Sequence, residues 1–538
     1  MPSSLLLGIR GVGMTGLAEL LNARGEKLLG YDDSRDGLPE FLEKFSPPIP
    51  AGSLRDGARP DRVVFSPAFS KDHPERQRAA EFKIFQESYP ATVGKIFNAA
   101  RGLAVAGTHG KTTTTAMLAA VLAAVEEDFA ALVGAPVLDF GKKSSRAPRR
   151  WEEETFFALE ACEYQNSFLN YRPAAAIFTN IDHDHLDFFP TEESYREAFR
   201  KLMKKIRPGG TLILRAEDLG KVTPVGEGLA NAAVSNQFSV NSKEEETEGN
   251  SSRKEKENPF PSQGEVRWGF LSEESADKPS PNPSLERRGE PAPALVETPS
   301  NIQTFSSADP SANFFLEKAE VGEEAGEPRL FFSARKNGAP FGDFSLRVPG
   351  RHNAENALAV CALADSLGFP VEKIRAGLAN FRGTARRQEF RGKSCGAWVF
   401  DDYAHHPAEL RATLKAFREF FPKRRLVAAF QSHTHERTRS FLREFAKELA
   451  RADLLFLPEV YSPARERGFS NPVSAAELAT AVREIAPGLE IRAGGDLKTA
   501  EERRALTSKI RAELREGDLL LCLGAGETNK LAGEILAS

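Results

Sequence analysis

In AVAGTHGKTTTT, residues 104–115, two glycines, a lysine and a threonine run follow an apolar stretch and lead into a helix-like pattern. Such a turn gathers backbone N–H groups, one ammonium and one hydroxyl around a polyphosphate. The commoner spacing G-x-x-x-x-G-K-[ST] needs glycine at 105, where Val105 stands; here the glycines are Gly107 and Gly110. Lys111 is placed to contact β- and γ-phosphates, and Thr112 to ligate Mg2+. The competing reading is an ordinary threonine helix cap, which does not require Gly-Lys-Thr at a strand-to-helix junction.

Three other clusters carry chemistry. Gly11-Val12-Gly13-Met14-Thr15-Gly16 has the spacing of a dinucleotide-binding turn, and Asp32 and Asp33 lie where a ribose hydroxyl would be held. A packing-only turn and a site for a nicotinamide cofactor are the alternatives. Glu160-Ala-Cys-Glu163 and Asn180-Ile-Asp-His-Asp-His185 each follow a strand-like run. Carboxylates and imidazoles beside a phosphate loop suit Mg2+, with substrate phosphates completing its shell. Asp182, His183, Asp184, His185 and Asp187 also fit a dinuclear hydrolase site or a polar loop. Late in the chain, DDYAHHP (401–407) and QSHTHERTR (431–439) offer imidazoles, a phenol and guanidinium groups for a small zwitterion or anion. Solvated loop polars ahead of a helix-starting Pro407 are the plainer alternative.

These clusters need strand ends to position them. Short apolar runs at 5–9, 27–31 and 62–65 alternate with a helical stretch at 17–23, as in an open α/β sheet. A second α/β unit starts at 103–106, continues into a helix over 113–125, and has strand-like runs at 156–160, 174–179 and 211–214. Order is expected again at 330–333 and 344–348. A third unit has strand-like runs at 397–401, 426–430, 454–457 and 519–523, with helices at 407–420 and 439–450. Alternating strands and helices predict parallel sheets. At 538 residues the chain exceeds one core and is expected to form three domains. Residues 241–300 hold 8 prolines and 21 charged residues but three aromatics, so 241–312 reads as a disordered surface insertion.

Composition narrows the function classes. A net charge of −4, without a basic face, argues against a nucleic-acid partner. No apolar run approaches a membrane span, and the first residues lack the features of a signal peptide. Cys162, Cys361, Cys395 and Cys522 lie far apart, which suits a reducing cytoplasm better than a disulfide framework.

Taken in order, GIRGVGMTGLAELL, FSPAFSKDHPE, AVAGTHGKTTTT, EACEY, TNIDHDHLDFF, VPGRHNAENALAV, GTARRQEF, DDYAHHPAEL, FQSHTHERTR and LLCLGAGETNKL resemble the motifs of the Mur ligases of peptidoglycan precursor synthesis. The resemblance covers nearly the whole chain outside 241–312. It implies an N-terminal Rossmann-like UDP-sugar domain (1–97), a central P-loop ATPase domain with a mixed sheet (98–390) and a C-terminal Rossmann-like domain (391–538). It also accounts for the short phosphate loop, G-x-x-G-K-[ST], at Gly107–Thr112.

By matching position, the resemblance assigns ATP binding to Gly107, Thr108, His109, Gly110, Lys111, Thr112, Thr113, Asn356, Arg387 and Asp402. Thr112, Glu163 and His185 resemble metal-site residues, with two Mg2+ ions implied. Lys111, Glu163, His185 and Arg387 are the implied catalytic set. Gly11, Val12, Gly13, Met14, Asp32 and Ser66 match the UDP-sugar region; Tyr403, His405, His433 and Arg437 match the amino-acid region. The implied reaction joins L-alanine to the carboxylate of UDP-N-acetylmuramate at the expense of ATP, through an acyl phosphate. The protein would be cytoplasmic, a monomer or homodimer, with those three small molecules as its partners. Members that add later amino acids carry a modified lysine where SYREAF places Phe199, so that lysine is absent here. A tripeptide-adding branch shares the N-terminal and phosphate-loop motifs, but FQSHTHERTR looks like the L-alanine-adding branch. EACEY carries Cys162 where the commoner motif has Asp, and retains Glu163.

Overall fold

The computed structural model describes residues 3–125, 128–185, 188–223, 299, 301–462 and 472–537. Apolar runs bounded by turn residues build three sheets in chain order. The first contains β1 (Ser3–Leu7), β2 (Lys27–Tyr31), β3 (Arg62–Phe65) and β4 (Phe85–Ser88). All its neighbours are parallel, in the order β2-β1-β3-β4. Strand order therefore reverses at β1, and the loops after β1 and β3 open a crevice at the carboxyl edge, where α/β sheets bind ligands.

The second sheet has ten strands. They are β5 (Arg101–Ala106), β6 (Ala130–Val137), β7 (Lys143–Arg146), β8 (Phe156–Glu160), β9 (Ala175–Phe178), β10 (Thr211–Arg215), β11 (Asn301–Ser306), β12 (Phe314–Glu324), β13 (Glu327–Lys336) and β14 (Ala339–Leu346). Their order is β14-β13-β12-β11-β10-β9-β5-β8-β6-β7, parallel except at the β6–β7, β12–β13 and β13–β14 pairs. The mixed sheet expected for this part of the chain is present. β5 lies between β8 and β9, so the loops after all three strands meet. The third sheet comprises β15 (Glu389–Ser394), β16 (Ala397–Asp402), β17 (Leu426–Phe430), β18 (Leu454–Leu457), β19 (Glu490–Ala493) and β20 (Leu519–Leu523). Its order is β15-β16-β20-β17-β18-β19, with only β15 antiparallel to its neighbour.

The first sheet's helix Val12–Ala23 is pressed onto the β6–β7 edge of the second sheet. A Cβ on Gly16 would fall 2.5 Å from the Leu132 side chain and 3.0 Å from that of Ser144, so a larger residue there would have to push them aside. Ser145 donates to Glu19 at 2.5 Å, Lys143 pairs with it at 3.2 Å, and Ser144 donates to the Val12 carbonyl at 3.1 Å. The last glycine of the N-terminal motif thus serves packing between units. Below it, Phe97 of helix Tyr89–Asn98 meets Phe157 and Tyr171, each at 5.5 Å between ring centroids. Such pairs add about 0.5–1.5 kcal/mol each beyond area burial. On the other face of the central sheet, helices Lys111–Ala124, Arg351–Ser366 and Val371–Asn380 share one core with β5 and β12–β14.

Three expectations are corrected. Residues 301–312 do not belong to a disordered insertion: 301–306 form β11, pairing in parallel with β10, and Phe305 and Ala312 are buried. The polar composition that motivated the boundary stops at about 300; residues 241–298 and 300 lie outside the described residues. The first strand ends at Leu7, because Gly8 turns the chain with φ +86. The helix expected at 439–450 is two helices, His435–Ser440 and Leu442–Leu449, broken at Phe441. Phe441 leaves helical geometry, and its ring lies edge-on to His406 at 4.9 Å. Among the described residues no helix is long and apolar enough to cross a membrane.

Candidate active site

The phosphate loop leaves β5 and enters the helix Lys111–Ala124. Gly107 (φ +137) and Gly110 (φ +83) both adopt backbone that side chains disfavour. A Cβ on Gly107 would strike Thr179 and approach the Asn180 carbonyl at 3.0 Å; one on Gly110 would meet Asn356 Oδ1 at 2.7 Å. The loop after β9 fixes the turn between these glycines. Asn180 Oδ1 accepts from His109 N at 2.9 Å, while Thr179 Oγ1 and Asn180 Nδ2 donate to the His109 carbonyl at 2.6 and 3.0 Å. Thr108 Oγ1 donates to the Asp182 carbonyl at 2.7 Å and accepts from Asp182 N at 2.9 Å.

Lys111 Nζ donates to the carbonyls of Gly107 (2.5 Å) and Thr108 (3.1 Å), and lies 3.0 Å from Glu163 Oε2 and 3.1 Å from Oε1. Glu163 is fully buried. The Tyr195 hydroxyl donates to it at 3.2 Å, and His185 Nε2 lies 3.6 Å away. Burial, then the Glu163 charge, pushes the Tyr195 phenol far above its usual range, so it remains a donor. Tyr164 lies against the His185 ring at 4.8 Å. Cys162, the residue before Glu163, is a free exposed cysteine.

Thr112 Oγ1 donates to Glu160 Oε1 at 3.0 Å, and Gly134 N donates to Glu160 Oε2 at 2.5 Å. Burial raises the Glu160 carboxyl, opposed by the Gly134 bond and by the charges of Lys111 and Arg387. Arg387 likewise opposes the burial that raises Asp402. Its charge therefore acts on a central-sheet and a C-terminal-sheet carboxylate together. Among the described residues no three His, Cys, Asp or Glu side chains form a metal-holding group. Thr112 and Glu163, with His185 3.6 Å from Glu163 and Glu160 on Thr112, offer mainly hard oxygen donors beside the phosphate loop. That fits Mg2+, which usually takes one or two carboxylates and completes its shell with phosphates and water.

A polar path leads from the loop to the C-terminal sheet. Asn356 faces Gly110 and donates to Asn353 at 3.4 Å; Asn353 donates to Gln388 at 3.3 Å; Gln388 N donates to Asp402 at 3.0 Å. Asp402, at the end of β16, also accepts from Ala404 N at 2.8 Å and Thr413 Oγ1 at 3.3 Å. The next residues form a ring cluster. Tyr403 and His405 lie 5.1 Å apart, His405 and His433 6.3 Å, and Tyr461 stacks on His433 at 5.1 Å with 16° between planes. Glu409 accepts from the His405 and His406 backbone N–H groups at 2.9 and 3.1 Å, fixing this turn ahead of helix Pro407–Phe420. Arg437 Nη1 is buried with no hydrogen-bond partner among the described residues. Burial lowers the His406 pKa; Arg437 adds to this and Asp184 opposes it, so the 182–185 loop lies electrostatically close to the cluster.

In the first sheet, Asp32 accepts from the backbone N–H groups of Arg10 and Ser34, both at 3.2 Å. Ser66 N donates to the Leu7 carbonyl at 3.0 Å, and a Cβ on Gly8 would lie 3.1 Å from Ser66. Gly11, Val12, Gly13, Met14, Asp32 and Ser66 are therefore gathered at the carboxyl ends of β1–β3. Tyr89 links this crevice to the phosphate loop. A Cβ on Gly13 would sit 2.9 Å from its hydroxyl, and burial, with the charges of Glu160 and Cys162, raises its phenol pKa. Thr179, Tyr195 and Tyr461 were not anticipated as site residues. Tyr195 sits inside SYREAF, but its phenol reaches Glu163 only through the fold.

A Gly-Lys-Thr turn closing a central strand of a mainly parallel sheet places the protein in the phosphate-loop class of α/β nucleotide-binding enzymes. Residues 105–266 match the Mur ligase middle domain and residues 386–526 the Mur ligase glutamate ligase domain. The chain is 31% identical over 532 residues to a UDP-N-acetylmuramate–L-alanine ligase of Desulfitobacterium hafniense, covering 98% of each chain. It is 31% identical to one of an Anaeromyxobacter species, covering 98% of this chain and 96% of that one. Among solved structures, a UDP-N-acetylmuramate–alanine ligase of Thermotoga maritima matches with a TM-score of 0.69 at 23% identity, over 100% of this chain and 99% of that one. A murein peptide ligase of Psychrobacter arcticus matches with a TM-score of 0.55 at 21% identity, over 100% and 98%. The chain belongs to the Mur ligase family.

Proposed function

We infer that the protein joins L-alanine to the carboxylate of UDP-N-acetylmuramate with conversion of ATP to ADP and phosphate. The observation carrying this reading is the end-to-end similarity to L-alanine ligases, across 98% of both chains, together with a Lys111–Glu163 pair at the phosphate loop. On this reading residues 1–97 hold the UDP-sugar, the central part from 98 holds ATP, and the C-terminal part brings the amino acid; the boundary drawn at 390 moves to the start of β15 at Glu389, since that strand pairs within the third sheet.

Two steps follow. The muramoyl carboxylate attacks the γ-phosphorus, forming an acyl phosphate and releasing ADP. The L-alanine amine then attacks the acyl carbon, and phosphate departs from the tetrahedral intermediate. Lys111 donates to the phosphoryl oxygens, exchanging part of its contact with Glu163 for theirs. The Gly107–Lys111 backbone cradles the polyphosphate, and Asn356 and Asp402 hold the nucleotide. Arg387 supplies positive charge between the sheets, while the Tyr195 phenol keeps Glu163 oriented. Mg2+, one ion or two, would be held by Thr112, Glu163 and His185, with Glu160 adjoining, and would neutralise phosphate charge when bound. Tyr403, His405, His433 and Arg437 receive the amino acid; Gly11, Val12, Gly13, Met14, Asp32 and Ser66 hold the UDP-sugar. The reaction would take place in the cytoplasm.

The position where later-acting members carry a modified lysine is occupied by Phe199, fully buried and 5.4 and 5.3 Å from Phe168 and Phe178. That supports the L-alanine-adding branch. Phosphate release is measured with ATP, Mg2+ and UDP-N-acetylmuramate, adding L-alanine, glycine, L-serine or the murein tripeptide in turn. L-Alanine should give the highest kcat/KM; release driven by the tripeptide alone would assign the other branch. NAD binding without UDP-sugar binding would remove the first sheet from the sugar site.

A further inference from the structure

We propose that Arg386 is a positioning residue that fixes Tyr403 and the amino-acid side of the site to the strand junction, separately from its pairing with buried Asp401. The proposal rests on the reading of Tyr403 as an amino-acid-binding residue.

Arg386 lies one residue before Arg387, between the central and C-terminal sheets, in the left-handed region at φ +58. Its Nη2 donates to the Gly524 carbonyl and, at 3.2 Å, to Thr528 Oγ1, so it grips the turn after β20. Its guanidinium lies 4.8 Å from the Tyr403 ring centroid, and its carbonyl accepts from Tyr403 N at 2.8 Å. One residue thus holds both the ring and the backbone of Tyr403. Its own N–H donates to Glu389 Oε2 at 2.9 Å, fixing the strained turn to the start of β15.

The same side chain faces a second demand. Asp401 is fully buried, and neither carboxylate oxygen has a hydrogen-bond partner among the described residues. Arg386 Nε at 3.4 Å and Arg391 Nη1 at 3.7 Å supply opposing charge. A truncation of Arg386 therefore mixes two effects: an exposed deficit of charge beside Asp401 and release of Tyr403. Because Tyr403 precedes His405 by two residues, and His405 Nδ1 contacts the Tyr403 carbonyl at 3.0 Å, a loosened Tyr403 carries the histidine with it.

Removing the charge demand separates the effects. Thermal melting and steady-state kinetics are measured on full-length wild type, Arg386→Ala, Arg386→Lys, Asp401→Asn and the Arg386→Ala/Asp401→Asn double variant. Arg386→Ala should melt below wild type, and the double variant should recover most of that loss. The KM for L-alanine should remain raised about three- to tenfold in both, the range of a partly desolvated ring–cation contact, with the KM for ATP changed less than twofold. Arg386→Lys keeps the charge but not the planar fork; it should fold like wild type and still show the raised L-alanine KM, including if Arg386→Ala fails to fold. Recovery of both melting and L-alanine KM in the double variant, or a wild-type L-alanine KM in Arg386→Lys, would overturn the proposal. Absence of L-alanine-dependent turnover in wild type would instead overturn the functional reading on which it rests.

Discussion

Replacing Lys111 with methionine removes the ammonium that faces a fully buried carboxylate. Glu163 lies 3.0 Å from Lys111 and, among the described residues, keeps the Tyr195 hydroxyl at 3.2 Å and the His185 imidazole at 3.6 Å. Breaking a buried pair from one side costs about 3–5 kcal/mol. The Tyr195 hydrogen bond and local relaxation recover some of this, leaving a net loss on the order of 2–3 kcal/mol. For a unit of this size that lowers Tm by roughly 5–10 °C. Lys111→Met/Glu163→Gln, which leaves no charge to bury, should regain most of the lost stability. Neither variant should turn over, since the phosphates lose their lysine. The assays are thermal denaturation and phosphate release under saturating substrates. A Lys111→Met melting point within a degree of wild type would refute the buried-pair argument. Retained turnover would place the ATP site elsewhere.

Gly110→Ala should raise the KM for ATP at least tenfold in steady-state kinetics. Its φ of +83 costs a side chain about 1–2 kcal/mol, and the new Cβ would meet Asn356 Oδ1 at 2.7 Å. Tyr461→Leu should raise the KM for L-alanine severalfold and leave that for ATP unchanged, because its ring stacks on His433 rather than near the phosphate loop. Burial lifts Asp401 to about 7 against opposing charge from Arg386 and Arg391, with Glu389 and Asp402 adding to the rise. A carboxyl raised on folding contributes stability below its unfolded pKa and loses it as pH climbs through the folded value. Its contribution should therefore fall between pH about 4 and about 7. Asp401→Asn should flatten Tm against pH across that window; an unchanged slope would contradict the assignment.

Strands buried on both faces were legible because their whole length is apolar: 426–430, 454–457 and 519–523 coincide with β17, β18 and β20. The strands that escaped include Phe85–Ser88, Lys143–Arg146, Glu389–Ser394 and Glu490–Ala493, all at sheet edges. An edge strand pairs on one side and keeps polar residues, so FQES or KSSR carries no apolar run. The site divides in a similar way. Lys111, Thr112, Glu163 and His185 sit in dense local motifs at strand ends, and the fold gathers them around one loop. Tyr195, Arg386 and Tyr461 act through contacts 32, 142 and 28 residues away, to Glu163, Thr528 and His433. No local spacing encodes such contacts. Asp401 and Asp402 are neighbours in sequence, yet alternation along β16 gives them different partners.

The most direct test of the account is product formation by the purified full-length chain with ATP, Mg2+, UDP-N-acetylmuramate and L-alanine. Phosphate release and the mass of the nucleotide product are followed together. The account predicts one phosphate per product molecule and a mass increase equal to one alanine residue, both absent when L-alanine is omitted. L-Alanine-independent ATP hydrolysis with no mass change, or a product formed only with the tripeptide, would contradict it.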